Sequence, residues 1–170
     1  MDAAALRTLQ APLKDRYRSQ PDAAVITLKA EGEIGAENLA CRVDTGRVLV
    51  EAGLHPATGG SGLQACSGDM LLEALAACAG VTLSAVATAL CIDVRQGRVS
   101  VEGDLDFRGT LGVAKDAPVG FRAIRLAFAV DTDAGEEQLA SLLKLTERYC
   151  VVLQTLRVPA EFSASLERAA

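Results

Sequence analysis

Between positions 67 and 90 the chain reads SGDMLLEALAACAGVTLSAVATAL, an apolar run with two acids near its start and one cysteine, Cys78, in its middle. Its length and its Leu- and Ala-rich content predict a long helix, with Ser67 as N-cap and Asp69 in the first turn, favourably placed against the helix dipole. The run is long enough to cross a bilayer. Glu73, the scattered Ser and Thr, and the lack of a basic flank before Arg95 argue against that and for a soluble protein. A helix apolar on all sides belongs inside protein contacts. One domain of 170 residues can hardly enclose it, so an oligomer interface is expected to complete its cover.

Around this helix the pattern is that of strands in adjacent runs. Residues 3–18 predict an amphipathic N-terminal helix that ends before Pro21. Alternating stretches at 24–30, 38–44 and 46–52 predict three strands, and 53–69 a loop rich in Gly and small polar residues. That loop lacks the GK[ST] of a phosphate cradle. Two longer alternations follow. Val99, Val101, Gly103, Leu105 and Phe107 share one face of 97–109, and Ile124, Leu126, Phe128 and Val130 share one face of 121–132. Asp133, with Glu136 three residues on, predicts the start of a second helix running through Cys150 to about Leu156. A short last strand at 160–167 is expected beside Pro159. Strands that do not alternate strictly with helices favour an α+β fold with antiparallel sheets, in a single domain spanning 1–170.

Several function classes drop out. The net charge is −5 and no basic cluster occurs, so no nucleic acid partner is expected. One His, no CxxC and no HExxH leave no metal site to predict. His55 has no GxSxG serine to serve and reads as a loop residue. Five cysteines at irregular spacing, without a secretion signal, point to a reducing cytoplasm and away from a disulfide framework.

Among those cysteines, Cys41 and Cys91 read as packing residues, and Cys66 sits in the loop before the helix. Cys78 and Cys150 each fall in the middle of an apolar helix. They either fill core space or meet as a dithiol–disulfide pair where the two helices pack. As a nucleophile Cys78 would need its thiolate, which in mid-helix calls for an outside charge such as an arginine. Asp69 or Glu73 could hold that arginine, or Asp69 could serve its own helix alone.

The segments HPATGGSG, GDMLLEALAACAGVTL, EGDLDFRGTLG and LTERYCVVLQTL resemble, in this order, the OsmC/Ohr family (osmotically inducible protein C and organic hydroperoxide resistance protein), over about residues 24–167. Residues 1–20 are expected to be a helical extension outside the resemblance. The resemblance implies an intertwined α+β homodimer whose two cysteine-bearing helices lie at its centre. It implies a cysteine-based peroxidase of stress defence that reduces organic hydroperoxides. Cys78 would take the peroxide oxygen as a sulfenic acid, and Cys150 would resolve it to a disulfide. Asp69 matches the acid of the OsmC-like branch. No cofactor is implied, only an external dithiol, of lipoyl type in some members. The alternative is a non-enzymatic member of the fold that binds a hydrophobic small molecule or a protein partner. Three positions depart from the family pattern. Val151 follows the second cysteine where Pro is common, Gly68 stands where the organic hydroperoxide branch has Glu, and the early strands carry no Arg before Arg42. Arg148 is a second source of positive charge near Cys150.

Overall fold

The computed structural model describes residues 49–112 and 114–168, the strand backbones at 31–34 and 40–44, and the N-terminal positions 2–5, 8, 11 and 19. The strand expected at 24–30 and the side chains of Cys41 and Arg42 lie outside the described residues. Of the N-terminal helix, positions 3–5, 8 and 11 are helical, and Asp2 Oδ1 accepts the amide hydrogen of Ala5.

The first sheet joins β1 (Glu31–Ile34), β2 (Ala40–Asp44) and β3 (Leu49–Gly53) in an antiparallel meander. A short β4 (Ala65–Cys66) pairs parallel with β3 and leads into helix α1 (Ser67–Ala89). The helix begins one residue earlier than expected: Cys66 is its N-cap, makes no side-chain capping bond, and Ser67 is the first helical residue. Strand β5 (Gln96–Leu105) and strand β6 (Phe121–Asp131) form a second, antiparallel pair. Phe107 leaves the alternation, because Asp106 caps a single helical turn over Phe107–Thr110.

The alternation in β5 and β6 has a direct structural meaning. Val99 pairs with Phe128 and Val101 with Leu126, so one face of the ribbon presents branched and aromatic side chains to α1. Gly103 opposes Ile124, and a Cβ there would lie 2.5 Å from the Phe121 ring, so the ring occupies the space a side chain would need. At the end of β6, Arg95 bonds Asp131 and Asp133 at 2.5 and 2.7 Å. That engagement takes Asp133 away from the capping role expected of it. Helix α2 (Glu136–Tyr149) starts at Gly135, whose N–H is accepted by Gln138 Oε1.

The predicted second helix is not continuous. It stops at Cys150, which is extended (φ −72°, ψ 106°), and restarts as α3 (Val151–Arg157). The expected strand at 160–167 also does not form: the tail runs beyond α3 in no ladder among the described residues. A strand forms only where a sheet edge satisfies its amides, and none within the described residues meets this one.

Helices α1 and α2 pack antiparallel. Leu142 packs with Leu83, Val86, Ala87 and Ile92, and one end of the pair further on, Cys150 packs with Leu75 and Ala79. Only one stripe of α1 is buried, namely Leu75, Ala79, Leu83, Val86 and Ala87. The flanks of this stripe, Cys78 and Thr82 among them, are half-buried, and the face beyond is exposed within the chain, with Val81 72% exposed. By length and composition α1 could span a membrane, with a mean hydropathy of 1.9 over 18 residues. At its C-terminus the N–H of Ile92 reaches the carbonyl of Ala87 (2.9 Å) and Cys91 takes φ +57°, the left-handed cap that glycine usually fills. Cys91 is exposed, contrary to the packing role expected of it.

Candidate active site

Two elements place the cysteines. Cys78 stands on α1 one residue from the buried stripe, and Cys150 is the wholly buried hinge between α2 and α3. The hinge carries no proline, so its bend must be held by other means. The bonds that cross it do so. Cys150 donates its N–H back to Thr146 O (3.0 Å), and its own carbonyl accepts from Gln154 N (2.9 Å). Gln154 Nε2 donates to Glu147 O at 2.7 Å, satisfying a carbonyl in the last turn of α2. Arg157 reaches the Glu147 carboxylate at 3.1 Å.

The bend turns the first amides of α3 toward α1. Helix-opening N–H groups lack intrahelical partners, and those of Val152 and Val151 favour the charged form of the Cys78 thiol. The Cys150 side chain packs against Cys78, and the Thr82 hydroxyl lies one turn along α1. Thr82 donates to Cys78 O at 2.7 Å.

These contacts split the two thiols. Burial alone pushes Cys78 up, but the Val152 amide, the Cys150 thiol, the Val151 amide and the Thr82 hydroxyl outweigh it and hold the Cys78 thiol below its ordinary range. Burial likewise pushes Cys150 up. The Leu153 and Val152 amides oppose this, but the charge on Cys78 adds to it, and Cys150 stays above its ordinary range. At the first deprotonation the charge therefore sits on Cys78 and the remaining proton on Cys150. Around the pair lie Val99, Val101, Ile124, Leu126, Leu153 and Leu156, an apolar wall.

Among the expected site residues, the structure brings Cys78 and Cys150 together and leaves Asp69 apart. Nine residues separate Asp69 from Cys78 on one continuous helix, which puts them roughly 13 Å apart along the axis and on opposite sides. Asp69 is exposed and borders a separate cavity of ≈ 370 Å³ with His55, Cys66, Phe107 and Phe121. His55 there stacks on Phe107 at 4.8 Å and accepts from Ala57 N–H, so it acts as a loop residue. Arg148 lies against the exposed ring of Tyr149, its Cζ 5.6 Å from the ring centre. Among the described residues, the groups that lower Cys78 are amides, a thiol and a hydroxyl. Sequence reasoning missed the hinge and its amides, because a main-chain donor leaves no residue-type signal. Among the described residues no three His, Cys, Asp or Glu side chains cluster as metal ligands.

Comparison with known proteins places this geometry. The family model described as OsmC-like protein matches residues 60–165. No curated protein matches the chain. Among solved structures, an OsmC-like protein from Mycoplasma pneumoniae superposes with a TM-score of 0.66 at 16% identity, covering 79% of this chain and 89% of its own. An organic hydroperoxide resistance protein OsmC from Legionella pneumophila gives 0.62 at 18% identity, over 79% and 92%. An organic hydroperoxide resistance protein from Elizabethkingia anophelis gives 0.60 at 16%, over 80% and 91%. At these identities the superpositions establish the fold, and the family match covers well over half of the chain. The chain belongs to the OsmC-like family.

Proposed function

We propose that the protein is a cysteine-based peroxidase for organic hydroperoxides. The carrying observation is that Cys78 of α1 packs against the buried Cys150 hinge, where the surroundings displace the two thiols oppositely, Cys78 down and Cys150 up. Cys78 is the attacking thiolate. Its sulfur bonds the terminal oxygen of the hydroperoxide, the O–O bond breaks, and the alkoxide leaves and is protonated to the alcohol. Cys150, adjacent, then attacks the Cys78 sulfenic sulfur as its proton passes to the departing hydroxyl, which leaves as water, and an external dithiol reduces the resulting disulfide. The apolar wall suits an alkyl or aryl peroxide. The names of the Legionella and Elizabethkingia relatives support this substrate class. Asp69 has no part in these steps within the chain.

The working unit is a homodimer in a reducing compartment. The bare face of α1 supports it, and so does the tail, in which Val158, Phe162 and Leu166 recur at even spacing and are 70%, 89% and 99% exposed. Such alternation fits a strand completed on a second copy. A second reading, a binding protein for apolar molecules, has the groove of ≈ 890 Å³ along α1 in its favour, lined in part by Leu83, Ile92, Val99 and Phe128.

The test is turnover of cumene hydroperoxide with dihydrolipoamide. Wild type consumes both, Cys78→Ser consumes neither, and Cys150→Ser accumulates a dimedone-reactive sulfenate. Wild-type turnover by Cys78→Ser would sink the peroxidase. A raised or ordinary Cys78 pKa with no peroxide reactivity would favour the binding protein.

A further inference from the structure

Thr146 is 1% exposed, and among the described residues its hydroxyl is the buried side-chain polar atom without a hydrogen-bond partner. Buried hydroxyls rarely go unpaired, and a threonine inside a helix has the carbonyl four residues back within easy reach. Thr146 leaves that carbonyl unused. Its position gives the omission a meaning. Leu142, Thr146 and Cys150 follow one another at four-residue intervals and share the face of α2 that lies on α1. Leu142 meets α1 at Leu83–Ala87 and Cys150 meets it at Leu75–Ala79, so Thr146 lies between these levels, beside the turn that carries Cys78 and Thr82.

The neighbouring donors are already committed. The amides of Val151 and Val152 address the Cys78 sulfur, Thr82 donates to Cys78 O, and Cys150 must be free to attack. When peroxide oxidises Cys78, sulfur gives up two electrons, an S–O bond replaces the O–O bond, and the alkoxide departs with a proton from water. The new oxygen carries the negative charge in the sulfenate form and needs a donor of its own. We propose that the unpaired Thr146 hydroxyl is that donor: a catalytic residue that is unsatisfied in the dithiol state and satisfied once oxygen is on Cys78.

This inference rests on the peroxidase reading, and the experiment separates the two. Oxidation of Cys78 by cumene hydroperoxide is followed in a single turnover, and reduction of the preformed Cys78–Cys150 disulfide by dihydrolipoamide is followed separately. Thr146→Val keeps shape and removes the hydroxyl. It is expected to slow oxidation about tenfold, the worth of one hydrogen bond to a charged oxygen, while reduction keeps its rate. Thr146→Ser restores oxidation. The Val variant should melt no lower than wild type, since it discards an unpaired buried polar group. If it does not fold, Thr146→Ala against Thr146→Ser gives the same comparison. Oxidation by the Val variant at the wild-type rate overturns the role of Thr146 alone. A wild-type protein in which Cys78 does not react with peroxide overturns both readings.

Discussion

Val151→Pro is a substitution the fold should accept and the thiolate should not. Val151 is the first residue of α3, where proline's fixed φ is favourable and its missing N–H breaks no helical bond. Cys150 before it is already extended at φ −72°, ψ 106°, the region a residue preceding proline is driven to. The one thing removed is the Val151 amide donor to the Cys78 sulfur. A hydrogen bond to a charged group is worth about 1.5–3 kcal/mol, and sulfur as acceptor belongs at the low end. At 1.36 kcal/mol per unit the Cys78 pKa should rise by about one unit. At any pH where the thiol is mostly protonated, the thiolate fraction then falls about tenfold. A more basic thiolate is a better nucleophile, with a Brønsted slope near 0.4–0.5, so the rate of attack should fall about threefold. The assay is iodoacetamide alkylation of Cys78 against pH, with the other four cysteines replaced by serine and the same pair of substitutions made. Replacing Cys150 by serine exchanges its thiol donor for a hydroxyl in both proteins and leaves the difference intact. Val151→Ala, which keeps the amide, is the control. An alkylation midpoint in Val151→Pro that matches the control, in a protein of unchanged melting temperature, would refute arming by the amide.

Other outcomes follow from the same geometry. Cys150→Ser exchanges a thiol donor for a hydroxyl, whereas Cys150→Ala removes the donor. The Cys78 midpoint should therefore move up in the alanine variant by about one unit and less in the serine variant, read by the same alkylation profile. Because the folded Cys78 thiol titrates below its unfolded value, its contribution to stability is complete above the unfolded pKa and disappears as pH falls through the folded one. Cys150, displaced upward, has the opposite sign: its contribution is present below the unfolded pKa and is lost as pH rises through the folded one. Urea midpoints of Cys78→Ser and Cys150→Ser measured between pH 6 and 10 check both slopes. Cys91→Gly should stabilise by about 0.5–1 kcal/mol, since glycine accepts φ +57° without strain, and raise the melting temperature by roughly 2–3 °C in calorimetry.

The strand pairing and α1 were legible because periodicity reports burial. Val99 through Leu105 and Ile124 through Val130 could face only one apolar partner, and the run after Ser67 could be only helix. The pairing of Cys78 with Cys150 followed from motif order, which carries the antiparallel packing of α1 on α2 implicitly. The hinge at Cys150 was illegible. Without proline, LTERYCVVLQTL keeps helical periodicity through the break, and the bend is held by contacts from Gln154 and Arg157 back to Glu147. Charge competition hid the start of α2 in a similar way, since Asp133 could cap a helix or bind Arg95 and only the folded chain brings Arg95 near. The empty strand at 160–167 marks a limit of a different kind: alternation shows that a segment can pair, not where its partner is.

A cysteine held low by main-chain amides, as proposed for Cys78, drifts over generations differently from one armed by a side chain. An activating arginine is one codon change from loss, and its disappearance is visible in any alignment. The amides of Val151 and Val152 are supplied by every residue type except proline, so the two positions can vary widely while the thiolate stays poised. Mutational tolerance there is high by construction. The vulnerable positions are those that keep the hinge bent, Glu147, Gln154 and Arg157, none of which need touch the substrate.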